Sequence, residues 1–459
     1  MSATPQMGVF QQPANHSYLF VHNSSPIIYI IGAGLAGCEA AWQAARHGCQ
    51  VVLFEMKPQR FSPAHVSPHL AELVCSNSFK SDSRENASGV LKEEMRSLHS
   101  LILAAADAHR VPAGSALAVD RNEFSGHVTE TLSQEKNITL FRQEITEIPD
   151  QGVVIIATGP LTSEAFSTHL REIIGHDFLY FHDAISPIIE HDSIDCSRAF
   201  RASRYNKGAA DYINCPLSQE EYYGFVHELL KAEKVTLRDF ETLIPYEGCM
   251  PVEVMAARGI ETLAFGPMKP VGLIDPRTGK QPYAVVQLRQ ENEQGTLYNM
   301  VGFQTRLKWP EQKRVFSLIP GLEHAAFARC GSLHRNTYIH CPSLLLKTLQ
   351  LKSDPRIFFA GQITGVEGYM ESAAMGLMAG IQASRFIKGQ NPLTPPQTTM
   401  IGALLSFITS TFSASFQPMN ANLGILPPLD SSVRKRDRKK AYADRALSAI
   451  KEWQKNLAL

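Results

Sequence analysis

Short apolar runs that end in glycine turns dominate the first part of the chain. Residues 27–31 form a β-branched run that ends at Gly32, and a helical pattern of apolar residues then continues to Gly48. Gly48 is a suitable C-cap residue, and residues 51–54 form a second apolar run that Glu55 closes. Strand, helix and strand in this order predict a β-α-β unit of a doubly wound parallel sheet.

Similar patterns predict further helices and strands before and after a central region of different composition. Helices are predicted over 86–110 and 120–132, from about 218, and over 371–381 and 437–456, with buried strands over 152–159 and 357–361 and a linker over 392–396. Between about 161 and 334 the chain has short mixed segments with many Pro, Tyr and Arg residues. The short mixed segments predict an inserted α+β domain.

Composition and charge narrow the classes of protein. The chain of 459 residues is 44% hydrophobic and 19% charged, as in globular proteins with several domains. Lys and Arg total 44, as do Asp and Glu, so a nucleic-acid partner would need a local basic patch. The eight cysteines include no C-x-x-C pair, so no metal site is predicted and the thiols are expected to be reduced.

The beginning of the chain lacks the marks of a targeting signal. Residues 1–26 contain no Lys or Arg, unlike a signal or transit peptide, so they are predicted to be a disordered extension. Apolar runs are no longer than strands, which predicts no membrane-spanning helix. These observations together indicate a cytoplasmic protein.

A complete dinucleotide-binding fingerprint lies between the first strand and the first helix. Its residues are Gly32, Ala33, Gly34, Leu35, Ala36 and Gly37. Glycines let the backbone approach a pyrophosphate, and the helix N-terminus offers free N–H groups to it. Glu55, at the end of the second strand, is placed to accept hydrogen bonds from an adenosine ribose.

A second strand and glycine turn occurs late in the chain and favours FAD over NAD as the bound dinucleotide. Its candidate cofactor-binding residues are Gly361, Gln362, Gly365 and Gly368. The sequence therefore predicts an α/β, two-fingerprint FAD-binding Rossmann-like fold with an inserted α+β domain. Its FAD-binding domain would be discontinuous, over 27–160 and 335–459, with the insertion over 161–334.

Two cysteines stand out from the others as candidate nucleophiles. Cys38 and Cys49 fit buried positions in the first helix and second strand, whereas Cys75 has the polar neighbours Ser76 and Asn77. Cys215 precedes the predicted helix near residue 218, and a thiol near a helix N-terminus tends to ionise more readily. The residues alone leave open whether either cysteine is catalytic.

Two groups of basic residues could contact a phosphate backbone or form solvated surface. The insertion carries Arg198, Arg201, Arg204 and Lys207. Near the C-terminus, residues 434–440 comprise six basic residues and one acid, beginning with Arg434, Lys435 and Arg436.

Seven further segments, together with the first fingerprint, resemble the folate- and FAD-dependent tRNA uracil-5-methyltransferases. They are residues 53–58 (LFEMKP), 72–78 (ELVCSNS), 214–216 (NCP), 301–305 (VGFQT), 334–337 (HRNT), 361–369 (GQITGVEGY) and 418–422 (PMNAN). The resemblance extends over about residues 27–430. The extension before residue 27 is longer than is usual in the family, and its role is open.

This resemblance implies methylation of C5 of the T-loop uridine, position 54, of tRNA to 5-methyluridine. The implied carbon donor is 5,10-methylenetetrahydrofolate, with reduced FAD as methylene carrier and reductant, and NADPH or NADH as the source of electrons. It also implies catalytic roles for Cys75, close to the flavin, and Cys215, as a second thiol in the pocket. Which of them attacks uracil stays open, as does the general base.

The resemblance further suggests contacts with folate and RNA. His334 is a candidate to stack on the pterin or the flavin, with a buried structural histidine as the alternative, and Tyr369 is a candidate substrate contact. The T-arm of tRNA would meet the basic residues, among them Arg434, Lys435 and Arg436. No obligate protein partner is expected.

Three other functions remain compatible with the sequence. One is flavin- and folate-dependent modification of another RNA uridine, in ribosomal RNA or at the tRNA wobble position. Wobble-modifying enzymes are longer, with an additional C-terminal helical domain, which argues against them here. The others are a small-molecule flavin oxidoreductase without an RNA substrate and a flavin-binding RNA scaffold without turnover.

Overall fold

The computed structural model describes residues 27–175, 178–206, 209–235, 250–410 and 416–457. Its strands are β1 (Ile27–Ile31), β2 (Gln50–Glu55), β3 (Ser78–Ser81), β4 (Arg110–Val111), β5 (Ala116–Val119), β6 (Ile138–Arg142), β7 (Val153–Ile156), β8 (Leu179–Ile185), β9 (Ile188–Glu190), β10 (Phe200–Ala202), β11 (Tyr212–Leu217), β12 (Ala284–Gln290), β13 (Leu297–Met300), β14 (Phe327–Arg329), β15 (Ser332–Tyr338) and β16 (Ile357–Phe359). Its α-helices are α1 (Leu35–Arg46), α2 (Ala87–Ser97), α3 (Leu101–Ala108), α4 (Arg121–Gln134), α5 (Glu164–Ile174), α6 (Gln219–Lys231), α7 (Val252–Ala257), α8 (Thr262–Phe265), α9 (Trp309–Phe316), α10 (Cys341–Leu344), α11 (Tyr369–Ile387), α12 (Met400–Thr409) and α13 (Arg438–Lys455). The predicted extension over residues 1–26 lies outside the described residues, as do Lys207 and Cys249.

A parallel five-stranded sheet forms the centre of the larger part of the molecule. The strand order is β16-β7-β1-β2-β6, and every pair in it is parallel. The predicted doubly wound α/β fold is thus confirmed, and β1 has the predicted bounds. Since β1 and β16 belong to one sheet, the two glycine turns that follow them meet at its carboxyl edge.

Helices α1 and α11 cross at very short range, which explains the small residues in α11. A Cβ atom on Gly376 would lie 2.1 Å from the Ala36 carbonyl oxygen, and one on Gly380 would lie 2.5 Å from that of Ala40. Larger side chains would push the two helices apart. Helix α11 begins at Tyr369 and ends at Ile387, so it is longer than the predicted 371–381.

The helix predicted over 86–110 is two helices separated by a turn. His99 has a φ of +58°, and the Ser100 side chain accepts a hydrogen bond from the Leu103 amide at the start of α3. Ser100 is a good N-cap residue within an otherwise continuous apolar pattern, so the sequence contained a signal for the start of a second helix. Helices α4 and α13 begin and end within two residues of the predicted limits.

The insertion has a hydrophobic core of its own around a six-stranded antiparallel sheet. The sheet has the order β10-β11-β12-β13-β9-β14. Its core includes Ile189, Phe225 and Leu322. Helix α6 begins next to Ser218, as predicted, and Ser218 and Glu221 form a capping box there. β8 and β15 form a separate antiparallel pair.

The first helix of the predicted insertion packs with the larger core instead. Phe166, Leu170 and Ile174 of α5 are buried there, whereas the insertion core is formed by residues from Ile189 onward. The domain limits 161–334 therefore stay a prediction. Helix α5, the first helix within these limits, packs with the core of the FAD-binding part. Among the described residues, no helix is long and apolar enough to span a membrane.

Candidate active site

Two of the fingerprint glycines are required by packing, and the third faces open space. Gly32 has a φ of +97°, and a Cβ atom there would lie 2.6 Å from the Ala157 carbonyl oxygen. On Gly37 a Cβ atom would lie 1.8 Å from the Gly32 carbonyl oxygen. On Gly34 it would meet nothing within 4 Å. Gly34 thus leaves room for a ligand at the N-terminus of α1, which no side chain caps.

The Glu55 carboxylate is fixed at the end of β2 by two backbone amides. Oε2 accepts a hydrogen bond of 3.0 Å from the Ala33 amide, and Oε1 accepts one of 3.0 Å from the Lys57 amide. The side chain is nearly buried and lines the same cleft as the fingerprint turn. This is the place from which an acceptor would reach the ribose of a bound dinucleotide.

The second glycine turn packs directly against the first helix. Gly361 has a φ of +82°, and a Cβ atom there would lie 2.7 Å from the Ala36 Cβ atom. Gly365 and Gly368 also have positive φ angles, and Gln362 donates a hydrogen bond of 2.6 Å to Glu367. The structure therefore brings the two predicted cofactor segments together.

A single cleft joins these elements. It is lined by the fingerprint turn, Glu55, the turn after β7, and the second glycine turn with Gly361 and Gln362. The open space at Gly34, the uncapped helix and the placed carboxylate are what a pyrophosphate and a ribose require. These residues thus fit FAD.

A second cavity adjoins the cleft and contains Cys75. The two cavities share Val74, Leu161, Gln362 and Tyr369 in their walls. Cys75 is part-exposed, and His334, Glu367 and Gly368 also line its cavity. The structure thus places a thiol beside the predicted flavin end of the cofactor site.

Tyr369 holds the backbone around Cys75 from the start of α11. Its hydroxyl oxygen accepts hydrogen bonds of 2.8 Å from the Cys75 amide and 3.2 Å from the Ser76 amide. Burial, followed by the nearby Cys75, raises the pKa of Tyr369, so the phenol stays neutral. Tyr369 lines both cavities, and its hydroxyl secures the Cys75 segment.

His334 presents a neutral ring to the cavity. Burial, followed by the Arg329 cation, lowers the pKa of His334 to about 4. Its Nε2 lies 2.9 Å from the Ser332 hydroxyl oxygen. A neutral imidazole can stack on a flat heterocycle, and contact of His334 with the pterin or the flavin stays a prediction.

Glu367 is a candidate proton carrier that the sequence interpretation did not assign. Burial, followed by repulsion from Asp183, raises the pKa of Glu367 to about 8. Its carboxyl group lines the cavity with Cys75 and is bonded to Gln362. The available signal was a carboxylate inside the glycine turn 361–369, two residues before Tyr369.

Cys215 lies elsewhere, so the expectation of a second thiol in the same pocket is wrong for this conformation. Its side chain is 0% exposed in the core of the insertion, and burial raises its pKa to about 12. Its sulfur faces Gly321, and Cys196 is the cysteine that interacts with it electrostatically. It stands on β11 before the capped helix α6, but the protein core surrounds it on that strand.

The basic residues divide into a paired group and an exposed group. In the insertion, Arg198 pairs with Glu221 and Glu323, while Arg201 and Arg204 bond to Tyr298 and to a backbone carbonyl. Arg434, Lys435 and Arg436 are exposed just before α13. Apart from the contact of Arg436 with Asp437 at 3.7 Å, no ion pair is seen for these three within the described residues. The described residues include no His, Cys, Asp and Glu cluster that could hold a metal ion.

Comparison with known proteins gives a consistent assignment. The model of the family described as glucose inhibited division protein A matches residues 27–391. A Geobacter sulfurreducens protein named methylenetetrahydrofolate–tRNA-(uracil-5-)-methyltransferase TrmFO is 60% identical over 427 residues, 93% of this chain and 98% of that protein. A Syntrophus aciditrophicus protein with the same name is 60% identical over 428 residues, 93% of this chain and 97% of that protein.

A solved structure of Aquifex aeolicus GidA has the same fold. Its TM-score is 0.69 at 17% identity, and the match covers 94% of this chain and 73% of that one. The parallel sheet, the two glycine turns and the relatives thus agree. The chain belongs to the glucose inhibited division protein A family and, within it, to the methylenetetrahydrofolate–tRNA-(uracil-5-)-methyltransferases.

Proposed function

We propose that the chain methylates C5 of the T-loop uridine of tRNA, at position 54, to 5-methyluridine. The carbon donor is 5,10-methylenetetrahydrofolate, FAD is the carrier and reductant, and NADPH or NADH supplies the electrons in the cytoplasm. The observation that carries the proposal is the Cys75 thiol in a cavity that adjoins the dinucleotide cleft. The identity of 60% to relatives with that named activity supports it.

Cys75 is the residue that activates the uracil. Carbon C5 of uracil is a poor nucleophile until a thiolate adds to C6, which forms a C–S bond and leaves an enolate. The enolate would then form the new C–C bond at C5 with the one-carbon unit, and the bond of that carbon to its nitrogen carrier would break with the electron pair passing to nitrogen. Loss of the C5 proton and delivery of a hydride equivalent, which reduced FAD would supply when bound, would convert the transferred carbon into the methyl group. Release of the product breaks the C–S bond and returns the electron pair to sulfur.

Glu367 accepts the proton that leaves C5. Its carboxyl group lines the Cys75 cavity, and its pKa of about 8 lies near neutral pH, as suits a group that both takes and returns a proton. The Gln362 side chain orients it by donating to Oε2. Glu367 rather than Tyr369 has this role, because the Tyr369 hydroxyl is engaged with the Cys75 and Ser76 amides.

The remaining groups hold the cofactors and the RNA. When bound, FAD supplies one-carbon transfer and reducing chemistry beside Cys75. His334 offers a neutral ring against which the pterin stacks. A uridine inside a folded loop must be extruded to expose C5 and C6, and contacts to phosphates offset that cost of a few kcal/mol. Arg434, Lys435 and Arg436 supply such contacts from the exposed segment before α13.

The test is methyl transfer in vitro. The protein with FAD is incubated with unmodified tRNA, labelled 5,10-methylenetetrahydrofolate and NADPH. Label is expected at the T-loop uridine, and Cys75→Ala is expected to abolish it while the flavin absorbance remains. Labelling only with S-adenosylmethionine would contradict the proposal.

Variation of the RNA separates the alternatives. Ribosomal RNA and a tRNA whose only modifiable uridine is at the wobble position are offered in parallel. If ribosomal RNA or the wobble uridine were labelled and the T-loop uridine were not, the labelled uridine would be the substrate. Flavin turnover without any labelled RNA would indicate a small-molecule oxidoreductase, and RNA binding without turnover would indicate a scaffold.

A further inference from the structure

The segment that carries Cys75 is held by a strand of the insertion. Arg289, on β12, donates a hydrogen bond of 3.0 Å to the Asn77 side-chain oxygen and one of 2.8 Å to the Ser76 hydroxyl. Asn77 is 0% exposed, and its nitrogen donates 2.9 Å bonds to the carbonyls of Val119 and Gln290. The two residues after Cys75 are thus fixed from β12.

An ion pair secures the same segment on its other side. Arg121, at the start of α4, bonds to the Leu73 carbonyl oxygen and pairs with Glu291 at 2.9 Å. Glu291 directly follows β12 and its side chain is only 3% exposed. Arg121 also interacts electrostatically with Cys75. Residues on both sides of the thiol therefore depend on the end of β12.

We propose that Arg289 is a positioning residue for the Cys75 nucleophile and that it acts from the insertion through Ser76 and Asn77. The inference rests on the proposed function for its catalytic meaning. A nucleophile needs to be held close to its attack position, and a displacement of about 1 Å can cost roughly 100-fold in rate. The insertion thus contributes to the geometry of the thiol as well as to its own core.

Only an arginine can make this contact in full. The Arg289 guanidinium bonds to Ser76 and Asn77 from two different nitrogens at once. A lysine keeps the charge but donates from a single, flexible atom, so it cannot reproduce the fixed geometry. Arg289→Lys therefore separates the effect of geometry from that of charge.

The experiment measures alkylation of Cys75 in the FAD-bound protein and needs no turnover. Wild type and Arg289→Lys are treated with iodoacetamide across a range of pH, and the modified peptides are quantified by mass spectrometry. Cys196, which is exposed and lies in the insertion, serves as an internal reference. Arg306→Lys is the matched control, because Arg306 is part-buried near Glu253 and does not contact the Cys75 segment.

The alkylation rate of Cys75 relative to Cys196 is expected to change at least about threefold in Arg289→Lys and to stay unchanged in Arg306→Lys. In the methylation assay, Arg289→Lys is expected to lower kcat by about 10- to 100-fold with little change in KM for tRNA. An unchanged relative rate together with unchanged kcat would overturn the proposal.

Ser76→Ala supplies a second test should Arg289→Lys fold poorly. It removes the hydrogen bond from Arg289 and the one of 3.1 Å that the same hydroxyl accepts from the Ser78 amide, and it leaves the Asn77 contact with Arg289. The relative alkylation rate is again expected to change, and an unchanged rate with unchanged kcat would overturn the inference. Because alkylation is independent of RNA, a failure of the proposed function would appear only in the methylation assay.

Discussion

The backbone amide of Cys75 donates a hydrogen bond of 2.8 Å to the hydroxyl oxygen of Tyr369, although 294 positions separate the two residues. Tyr369 also begins α11, immediately after the second glycine turn. One hydroxyl group thus connects the candidate nucleophile to the second glycine turn, which the sequence predicts to bind the cofactor.

Removal of the Tyr369 hydroxyl is expected to make the position of the Cys75 thiol less fixed. Tyr369→Phe leaves the Cys75 and Ser76 amides without their acceptor, which costs about 1–3 kcal/mol in the free energy of unfolding. The methylation kcat is expected to fall by about 10- to 100-fold. Denaturant unfolding and steady-state kinetics measure the two effects. Tyr222→Phe, which removes a hydroxyl inside the insertion, is the control and should lower stability without lowering kcat per folded molecule.

The pKa of Glu367 predicts how the rate depends on pH. Since its pKa is raised to about 8, the carboxyl is mostly protonated at pH 7 and becomes a base as the pH rises through 8. Release of tritium from tRNA labelled at uridine C5 is therefore expected to increase as the pH rises through 8, where it is half-maximal, and to level off about one pH unit higher.

Glu367→Gln is expected to lower tritium release by about 100-fold or more and to remove this rise. Glu94→Gln is a matched control, because Glu94 is also buried with a pKa raised to about 8 but bonds to the start of α12. A Glu367→Gln variant with the wild-type pH profile would exclude Glu367 as the base.

Among the fingerprint glycines, Gly34 is expected to matter for FAD binding and Gly37 for the stability of the fold. Gly34→Ala meets no protein atom, so the apo protein should unfold at the wild-type temperature while its Kd for FAD rises about tenfold or more, equivalent to about 1.4 kcal/mol. Gly37→Ala collides with backbone and should destabilise the fold itself. Thermal unfolding and FAD titration measure both. Gly126→Ala, which also meets nothing within 4 Å, is the control and should leave FAD binding unchanged.

The exposed basic segment is expected to contribute to RNA binding. Replacement of Arg434, Lys435 and Arg436 by Gln should raise the Kd for tRNA and reduce the slope of log Kd against log salt by about 1 for each phosphate that the variant no longer neutralises. Replacement of Lys451 and Lys455, exposed at the other end of α13, is the control. An unchanged salt dependence in the triple variant would show that these residues do not contact RNA phosphates and are only solvated surface.

The sequence predicted the elements around the cofactor well because their signals are local. β1 and the glycine turn follow directly from the residues, and the role of Glu55 follows from its position at the end of β2. The position of Cys215 could not be predicted in this way, because its burial depends on the long-range packing of β11, β12 and α6. The roles of Tyr369 in holding Cys75, and of Arg289 and Glu367, depend likewise on contacts between distant segments.

Trapping of the covalent intermediate tests the central claim most directly. A T-arm RNA with 5-fluorouridine at position 54 has no C5 proton to release, so a thiol that adds to C6 is expected to remain attached. With FAD, 5,10-methylenetetrahydrofolate and NADPH present, peptide mass spectrometry should find the RNA on Cys75, and Cys75→Ala should form no adduct. An adduct on Cys215 with Cys75 unmodified would contradict the account.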